Sequence, residues 1–168
     1  MEAPANKTEI IALFGQGPVI LEDALNGIDE TELDYLPAKK GWTIRQIVHH
    51  LADGDDLWKI GIKIALGNEN AEFNLQWYSA YQQTDWAKFW NYEKRPIETS
   101  ISFLKASRAH VLHLLESVDD AWNKTVRFLK PDGVIEIVPV GFVIQMQANH
   151  VVHHVKRIKE IRQEYLNR

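Results

Sequence analysis

TIRQIVHHLADGDDLWKIGIKIAL, residues 43–66, carries the clearest helical pattern in this chain of 168 residues. Thr43 suits an N-cap, and Gln46 follows it three residues later, as in a capping box. Apolar residues recur at the spacing of one helix face, and Gly67 follows the last of them. The segment therefore predicts a long helix from Thr43 to about Leu66 with one buried face.

The segment before this helix predicts a helix in two pieces. The first piece starts near Glu9, and Gly15-Gln16-Gly17-Pro18 should interrupt or kink it, because proline lacks an amide hydrogen and clashes with the preceding turn. A second piece then starts at Pro18, which suits a first helical turn, and runs to about Asn26.

The C-terminal half predicts more helices and one change of period. Alternating apolar residues on both sides of Pro131-Asp132-Gly133 are typical of a β-hairpin. Residues 68–83 have no clean period and predict a long connection with little regular structure. The further predicted elements are helices over about 85–92, 96–118 and 142–165, and the strands 125–129 and 134–138.

These elements predict the fold class all-α: a four-helix bundle with a long crossover and a small β-hairpin before the last helix. At 168 residues the chain is most simply one domain, residues 1–168. We expect a homodimer, because helical bundles of this kind often pair.

Composition excludes several classes of protein. The net charge of −4 argues against non-specific nucleic-acid binding, which needs a basic surface. No apolar run is long enough to span a bilayer, and the N-terminus does not have the pattern of a signal peptide, so we expect no membrane partner and a cytoplasmic location. There is no cysteine, so a metal site would have to use His, Asp or Glu.

Helix geometry separates the seven histidines of the chain. An α-helix turns about 100° per residue, and on this projection His50 lies at the edge of the apolar stripe of its helix. His49 lies almost opposite that stripe, so we expect it to be solvated. His110 and His113 are displaced from the apolar face of their helix and are expected at the surface.

The last helix contains a histidine pair at the spacing of metal ligands. His150 and His154 share the edge of its apolar stripe and, at i and i+4, can reach one ion. His153 lies further outside the stripe. A single histidine at a core edge is more often a hydrogen-bonded core side chain. Together with His50, however, the pair predicts one metal site.

Two polar residues near these histidines are further candidates. Asp53, three residues after His50, could orient a ligand imidazole or a water as a catalytic carboxylate, or pair with a lysine at the surface. Gln147 projects near His154 and could contact a ligand. Trp58 projects into the apolar stripe, and the sequence does not place the aromatic residues of the long connection, Trp77, Tyr78 and Tyr81.

Two motifs resemble the DinB/YfiT-like superfamily. One is the stretch 41–53, in which Trp42-Thr43 precedes a helix that carries His50-Leu51. The other is His150-x-x-x-His154 on the final helix. The order of the elements between them is also similar, and the resemblance covers most of the chain.

The resemblance implies a four-helix bundle with a long crossover and one divalent metal ion held by three histidines. Carried over by position, the ligands are His50, His150 and His154. Members of the superfamily include metal-dependent hydrolases and transferases that use low-molecular-weight thiols such as bacillithiol, and many have no assigned substrate.

Three imidazoles leave coordination positions open, which favours catalysis over a closed structural site. Zn, Ni, Fe and Mn all remain possible, because imidazole suits each of them. Together with the open three-histidine site, the resemblance implies a divalent-metal-dependent hydrolase or thiol transferase, and we expect a small-molecule substrate. The alternative is a non-catalytic bundle that binds a metal or a ligand without turnover.

Overall fold

The computed structural model describes residues 6–38, 41–68 and 70–168. Residues 1–5, part of the segment on which the signal-peptide expectation rests, lie outside this description. The elements in chain order are α1 (Lys7–Leu25), α2 (Glu30–Leu33), α3 (Ile44–Gly67), β1 (Glu72–Asn74), α4 (Gln76–Ser79), α5 (Gln83–Phe89), a 3₁₀ turn (Tyr92–Lys94), α6 (Ile97–Ser117), β2 (Thr125–Leu129), β3 (Ile135–Pro139) and α7 (Val140–Leu166).

The four long helices α1, α3, α6 and α7 form a bundle. α1 packs on α7 and α6, and α3 packs on the same two helices, so the order around the bundle is α1, α7, α3, α6. The predicted all-α four-helix bundle, with its long crossover between α3 and α6, is confirmed. None of the described helices combines the length and the apolar composition needed to cross a membrane.

The start of α3 follows the sequence prediction. Thr43 is the N-cap, its hydroxyl accepts the Gln46 amide, and the Gln46 side chain accepts the Thr43 amide. This capping box fixes the first turn of the helix that carries His50. The separate helices predicted over 85–92 and 96–118 are also present, because the short helix α5 ends at Phe89 and Pro96 is the N-cap of α6.

The prediction that α1 consists of two pieces is wrong. The helix runs without interruption from Lys7 to Leu25 and contains Pro18. Pro18 has no amide hydrogen for the carbonyl of Phe14, four residues earlier. Arg108 of α6 supplies the missing donor, because its Nη1 lies 2.9 Å from the Phe14 oxygen. A tertiary hydrogen bond thus replaces the helical one at the proline.

Arg108 is the polar centre of the bundle. Its Nε donates to Asp55 Oδ2 at 2.6 Å, and its Nη2 donates to Asp55 Oδ1 at 3.1 Å and to the Gln147 carbonyl at 2.8 Å. The side chains of Arg108 and Asp55 are 1% and 4% exposed. One guanidinium therefore joins α1, α3 and α7 to α6.

Gly17 makes room for this guanidinium. A Cβ at Gly17 would lie 2.1 Å from Arg108 Nη1 and 3.1 Å from its Cζ, and the arginine is held in place by its hydrogen bonds. We therefore expect Gly17→Ala to destabilise the protein by about 1–3 kcal/mol through overpacking, even though alanine favours helices. Urea unfolding measures this change.

Gly15→Ala is the matched control on the same helix. Its Cβ would meet only the Leu112 Cδ1 methyl, at 3.2 Å, and this side chain can rotate. We expect Gly15→Ala to cost clearly less than Gly17→Ala. An equal loss of stability in both variants would contradict the role given to Gly17.

The hairpin belongs to a three-stranded sheet in the order β1-β2-β3. β2 pairs antiparallel with β3, with Thr125 opposite Pro139 and Leu129 opposite Ile135. The predicted hairpin is present. Its second strand, β3, begins one residue after the predicted position, and the last helix, α7, begins two residues before its predicted position.

The prediction that residues 68–83 have little regular structure is wrong. The described part of this segment contains the strand β1, which pairs in parallel with β2 and places Phe73 opposite Phe128, and the helix α4 follows it. The Phe73 ring packs on the rings of Trp58 and Phe128. The start of the crossover is thereby attached to the sheet and to α3, and it brings α4 close to the histidines.

Candidate metal centre

Three histidines from two helices converge inside the bundle. His50 on α3 and His150 and His154 on α7 each offer a ring nitrogen, and the three nitrogens lie within 4.8 Å of one another. The Nε2 atoms of His50 and His150 are 3.0 Å apart. The structure thus brings together the three residues that the sequence predicted as ligands.

The geometry of the two helices explains this convergence. His150 and His154 are one turn apart on α7, with ring centroids separated by 4.7 Å. The centroid of the His50 ring lies 4.8 Å from that of His150 and 5.0 Å from that of His154. The Trp42 ring packs on the His50 ring at a centroid distance of 4.5 Å and an interplanar angle of 77°. Each imidazole is therefore held by its neighbours.

Burial keeps all three imidazoles neutral at pH 7. Burial, followed by the neighbouring His150 and His154, lowers the pKa of His50 to about 2. Burial and the charge of Arg108 lower the pKa of His150 to about 4. Burial and the nearby His150 lower the pKa of His154 to about 3. Neutral imidazole is the form of histidine that binds metals.

These shifts predict how the stability of the metal-free protein depends on pH. Each pKa lies below the 6.5 of an unfolded histidine, so below pH 6.5 the unfolded chain binds more protons than the folded one. The stability from the three neutral imidazoles is complete above pH 6.5 and is lost progressively as the pH falls, down to about 4 for His150, about 3 for His154 and about 2 for His50, which are their pKa values in the folded protein. Each histidine adds up to about 1.4 kcal/mol per pH unit to the slope.

Urea unfolding of chelator-treated protein between pH 7 and pH 4.5 tests this expectation. We expect His150→Gln to reduce the slope by up to about 1.4 kcal/mol per pH unit. His113→Gln is the control, because His113 is exposed on α6 and should leave the slope unchanged. Identical slopes for His150→Gln and the unaltered protein would contradict the account.

The donor set fits a divalent ion. Zinc binds imidazole nitrogen at about 2.0–2.1 Å, so two ligand nitrogens of one ion lie roughly 3.0–3.4 Å apart. The 3.0 Å separation of the His50 and His150 Nε2 atoms is at the lower end of this range, and all three ligand nitrogens lie within 4.8 Å of one another. In addition, Nδ1 of His154 is buried without a hydrogen-bond partner among the described residues. Three neutral nitrogen donors suit Zn, Ni, Fe and Mn alike.

The expectation that His49 is solvated is wrong. His49 is fully buried, at 0% exposure, because α3 packs on α6 as well as on α7 and both of its sides are covered. Its Nε2 lies 3.1 Å from the Arg95 carbonyl, to which it donates, so Nδ1 accepts the Ser100 hydroxyl at 2.8 Å. His49 therefore attaches the start of α6 to α3.

Asp53 does not contact the three histidines through any of its described hydrogen bonds. Its Oδ2 accepts the Tyr92 hydroxyl at 2.7 Å and lies 3.6 Å from Arg95 Nη1. This places Asp53 in an ion pair with the end of the crossover. Its predicted catalytic role stays a prediction.

Gln147 is buried one turn before His150. Its Nε2 donates to the Gly54 carbonyl at 3.4 Å, and its Oε1 has no partner among the described residues. The Gln147 amide thus connects α7 to α3 beside the three histidines.

The prediction that His110 and His113 lie at the surface is confirmed, since both are exposed on α6.

A cavity of about 380 Å³ opens beside the histidines. His50 and His150 contribute to its lining, and its volume is within the range of small-molecule sites. The remaining lining residues come from α3, α7 and the crossover: Gly54, Leu57, Trp58, Leu75, Tyr78, Gln83, Met146, Gln147, Asn149 and His153.

A second cleft adjoins this cavity. It has a volume of about 510 Å³ and is lined by Trp42, Ser79, Tyr81, Gln82 and Thr84, together with Tyr78 and Gln83. Because Tyr78 and Gln83 line both spaces, they form the wall between them. Two neighbouring binding spaces therefore meet near His50.

The sequence did not place these crossover residues. Tyr78 lies in the cavity because its ring stacks on Trp86, with centroids 5.4 Å apart, and its carbonyl accepts the Trp86 Nε1 hydrogen at 2.7 Å. His153, which sequence projection set outside the apolar stripe, lies at the cavity wall with an exposed side chain. The run of aromatic residues from Trp77 to Trp90 was the available signal.

Relatives of known sequence have similar lengths. The chain is 27% identical, over 154 residues, to a protein of Geobacillus thermodenitrificans provisionally named a metal-dependent hydrolase; the match covers 92% of this chain and 83% of the relative. It is 26% identical over 155 residues to YfiT of Bacillus subtilis, which has a name of the same kind, with the same shares covered.

Solved structures show the same fold. YfiT of Bacillus subtilis, described as having an unusual four-helix bundle topology, superposes with a TM-score of 0.79 at 24% identity over 96% of this chain and 88% of that chain. A mycothiol-dependent maleylpyruvate isomerase superposes with a TM-score of 0.67 at 17% identity, over 92% of this chain and 61% of that chain.

A family model covers most of the chain. It matches residues 14–158, a span that begins in α1, includes His50, His150 and His154, and ends in α7. The chain belongs to the DinB superfamily.

Proposed function

We propose that this protein is a divalent-metal-dependent enzyme that acts on a small molecule, with one ion held by His50, His150 and His154. The observation that carries the proposal is the opening of a small-molecule cavity directly onto two of three neutral, converging imidazoles. Hydrolysis is the reaction that this arrangement supports best, and the provisional names of the relatives agree with it.

The ion would supply Lewis-acid chemistry: it would polarise an acyl oxygen or favour ionisation of a nucleophile such as water or a thiol. In hydrolysis the water oxygen bonds to the acyl carbon, the bond to the leaving group breaks, and a proton passes from water to the leaving group. His153 lines the cavity and reaches solvent, so we assign it the transfer of this proton.

The test is metal-dependent turnover. Chelator-treated protein is assayed with uncharged 4-nitrophenyl esters before and after addition of one equivalent of Zn, Ni, Fe or Mn. We expect activity to appear with at least one metal and to disappear in His154→Ala. His153→Gln should retain the metal and lose about 100-fold in kcat, within the range for a general acid or base.

The exposed His110→Ala is the control and should retain both metal and activity. Metal binding without turnover of any substrate would favour the alternative function, a non-catalytic bundle that binds a metal or a ligand. Turnover that does not change when the metal is removed would contradict both functions.

A second candidate function is transfer to a low-molecular-weight thiol. The second cleft favours it, because a transferase needs room for two reactants and the two spaces share the wall formed by Tyr78 and Gln83. The similar fold of a mycothiol-dependent isomerase is consistent with such chemistry in this architecture. Conjugation of a small thiol to an electrophile, measured with the same metals and variants, distinguishes transfer from hydrolysis.

A further inference from the structure

The cavity beside the histidines has uncharged walls. None of its lining residues in the described part of the chain is Lys, Arg, Asp or Glu, although these types make up 25% of the sequence. Its apolar surface comes from α3, the start of the crossover and α7, through Leu57, Trp58, Leu75 and Met146. A ligand body in this space meets carbon atoms and neutral polar groups.

The charged residues nearest to these walls already have partners. Asp55, one residue after Gly54 in the cavity lining, receives two hydrogen bonds from Arg108. Asp53 accepts the Tyr92 hydroxyl and faces Arg95. Arg108 therefore compensates the charge of Asp55, and Arg95 at the end of the crossover compensates that of Asp53, so neither carboxylate needs a ligand.

Tyr78 completes the neutral wall. Burial and the nearby Asp53 raise the pKa of Tyr78, so its hydroxyl remains protonated at neutral pH. Its ring is held by stacking on Trp86, at 5.4 Å and an interplanar angle of 14°, and on Trp90 at 6.2 Å. The crossover thus presents a rigid aromatic side chain without charge.

We propose that the substrate is an uncharged acyl compound whose apolar body lies between Leu57, Leu75 and Met146, with its reacting group at the histidines. The inference rests on the proposed function, because the three histidines define the reacting end. Between Leu57, Leu75 and Met146, a carboxylate or ammonium on the body would lose its hydration and meet no residue of opposite charge. A carboxylate at the histidine end would be a different case, since a metal would attract it.

The test uses two probes that differ only in a charge far from the acyl group: N-phenylbutanamide and 4-(butanoylamino)benzoate. Binding to the purified protein is followed by NMR through the indole signals of the six tryptophans, with Trp58 assigned by Trp58→Phe. We expect the neutral probe to shift the Trp58 signal and to bind at least tenfold more tightly than the carboxylate.

Met146→Lys introduces a positive charge into the wall. We expect it to weaken binding of the neutral probe at least tenfold and to reverse the preference in favour of the carboxylate. Val152→Lys, which adds the same charge at an exposed position of α7 outside the cavity lining, is the control and should bind both probes as the unaltered protein does.

Equal or tighter binding of the carboxylate to the unaltered protein would overturn the inference, as would a neutral probe that leaves the Trp58 signal unchanged. Neither result depends on turnover. Failure of the proposed function would instead appear as absence of metal-dependent activity while the neutral probe still binds. The comparison of the two affinities uses the unaltered protein alone, and only the assignment of the Trp58 signal needs the variant Trp58→Phe.

Discussion

Arg108→Ala is expected to destabilise the protein by about 3–5 kcal/mol, because it leaves the Asp55 carboxylate buried without its partner. Asp55 is 5% exposed and lies deep between α3 and α6. The same change leaves the carbonyl of Phe14 without a donor, since Pro18 cannot supply one. Equilibrium unfolding in urea measures the loss.

A double variant and a surface control separate the pair from its surroundings. Arg108→Met with Asp55→Leu replaces both charges by apolar groups and should recover the part of the loss that comes from the buried carboxylate, while the carbonyls of Phe14 and Gln147 stay without their donor. Lys105 lies on α6, as Arg108 does, and its Nζ is 3.7 Å from Oε2 of Glu22 on α1 at the surface. Lys105→Ala removes this exposed ion pair and should change the free energy of unfolding by no more than about 1 kcal/mol. A loss below about 1 kcal/mol in Arg108→Ala would contradict the role of the buried pair.

His150→Ala is expected to lower the affinity for zinc by at least about 100-fold, since loss of a ligand costs more than loss of a group that only orients one. The His150 ring is the nearest of the three to both of its neighbours, with centroids 4.8 Å from His50 and 4.7 Å from His154, against 5.0 Å between His50 and His154. Competition with a coloured zinc indicator gives the affinity of each variant.

His153→Ala is the matched control for this change, because it removes a neighbouring imidazole of α7 whose side chain is exposed. We expect it to bind zinc as the unaltered protein does. Circular dichroism of both variants shows whether the helices are intact. Equal affinities in His150→Ala and His153→Ala would remove His150 from the ligand set.

The sequence was sufficient for elements with a local signal. The capping box of Thr43 and Gln46 marks the start of α3, and the i,i+4 spacing places His150 and His154 on one face. His50 was found by the same projection, because its position at the edge of a stripe depends on helix geometry alone. Local rules thus identified the fold class and brought the three histidines into one hypothesis.

Projection failed where a helix has more than one buried side. His49 is opposite the apolar stripe of α3, yet α6 covers that side. The buried ion pair of Arg108 and Asp55 has a signal in the sequence, because Arg108 is in helical register with Leu104 and Val111, both buried. A charge inside an apolar stripe requires a partner, and Asp55 stands four residues after the buried Leu51.

Non-local contacts explain the other errors. Pro18 is tolerated in α1 only because an arginine 90 residues away donates to the freed carbonyl. The three-residue strand β1 is too short to show a period, and its partner β2 begins at Thr125. Tyr78 is held at the cavity by stacking on Trp86, in a crossover whose start is attached to the sheet by the pairing of β1 with β2, so the sequence alone could not place this wall of the site.

The central claim is that His50, His150 and His154 hold one divalent ion. X-ray absorption spectroscopy of the zinc-loaded protein, with the metal content measured on the same sample, tests it most directly. We predict about one zinc per chain, coordinated by three imidazole nitrogens at about 2.0–2.1 Å, and a spectrum that loses one imidazole in His50→Ala. A protein that retains no zinc, or an imidazole shell that His50→Ala leaves unchanged, would contradict the account.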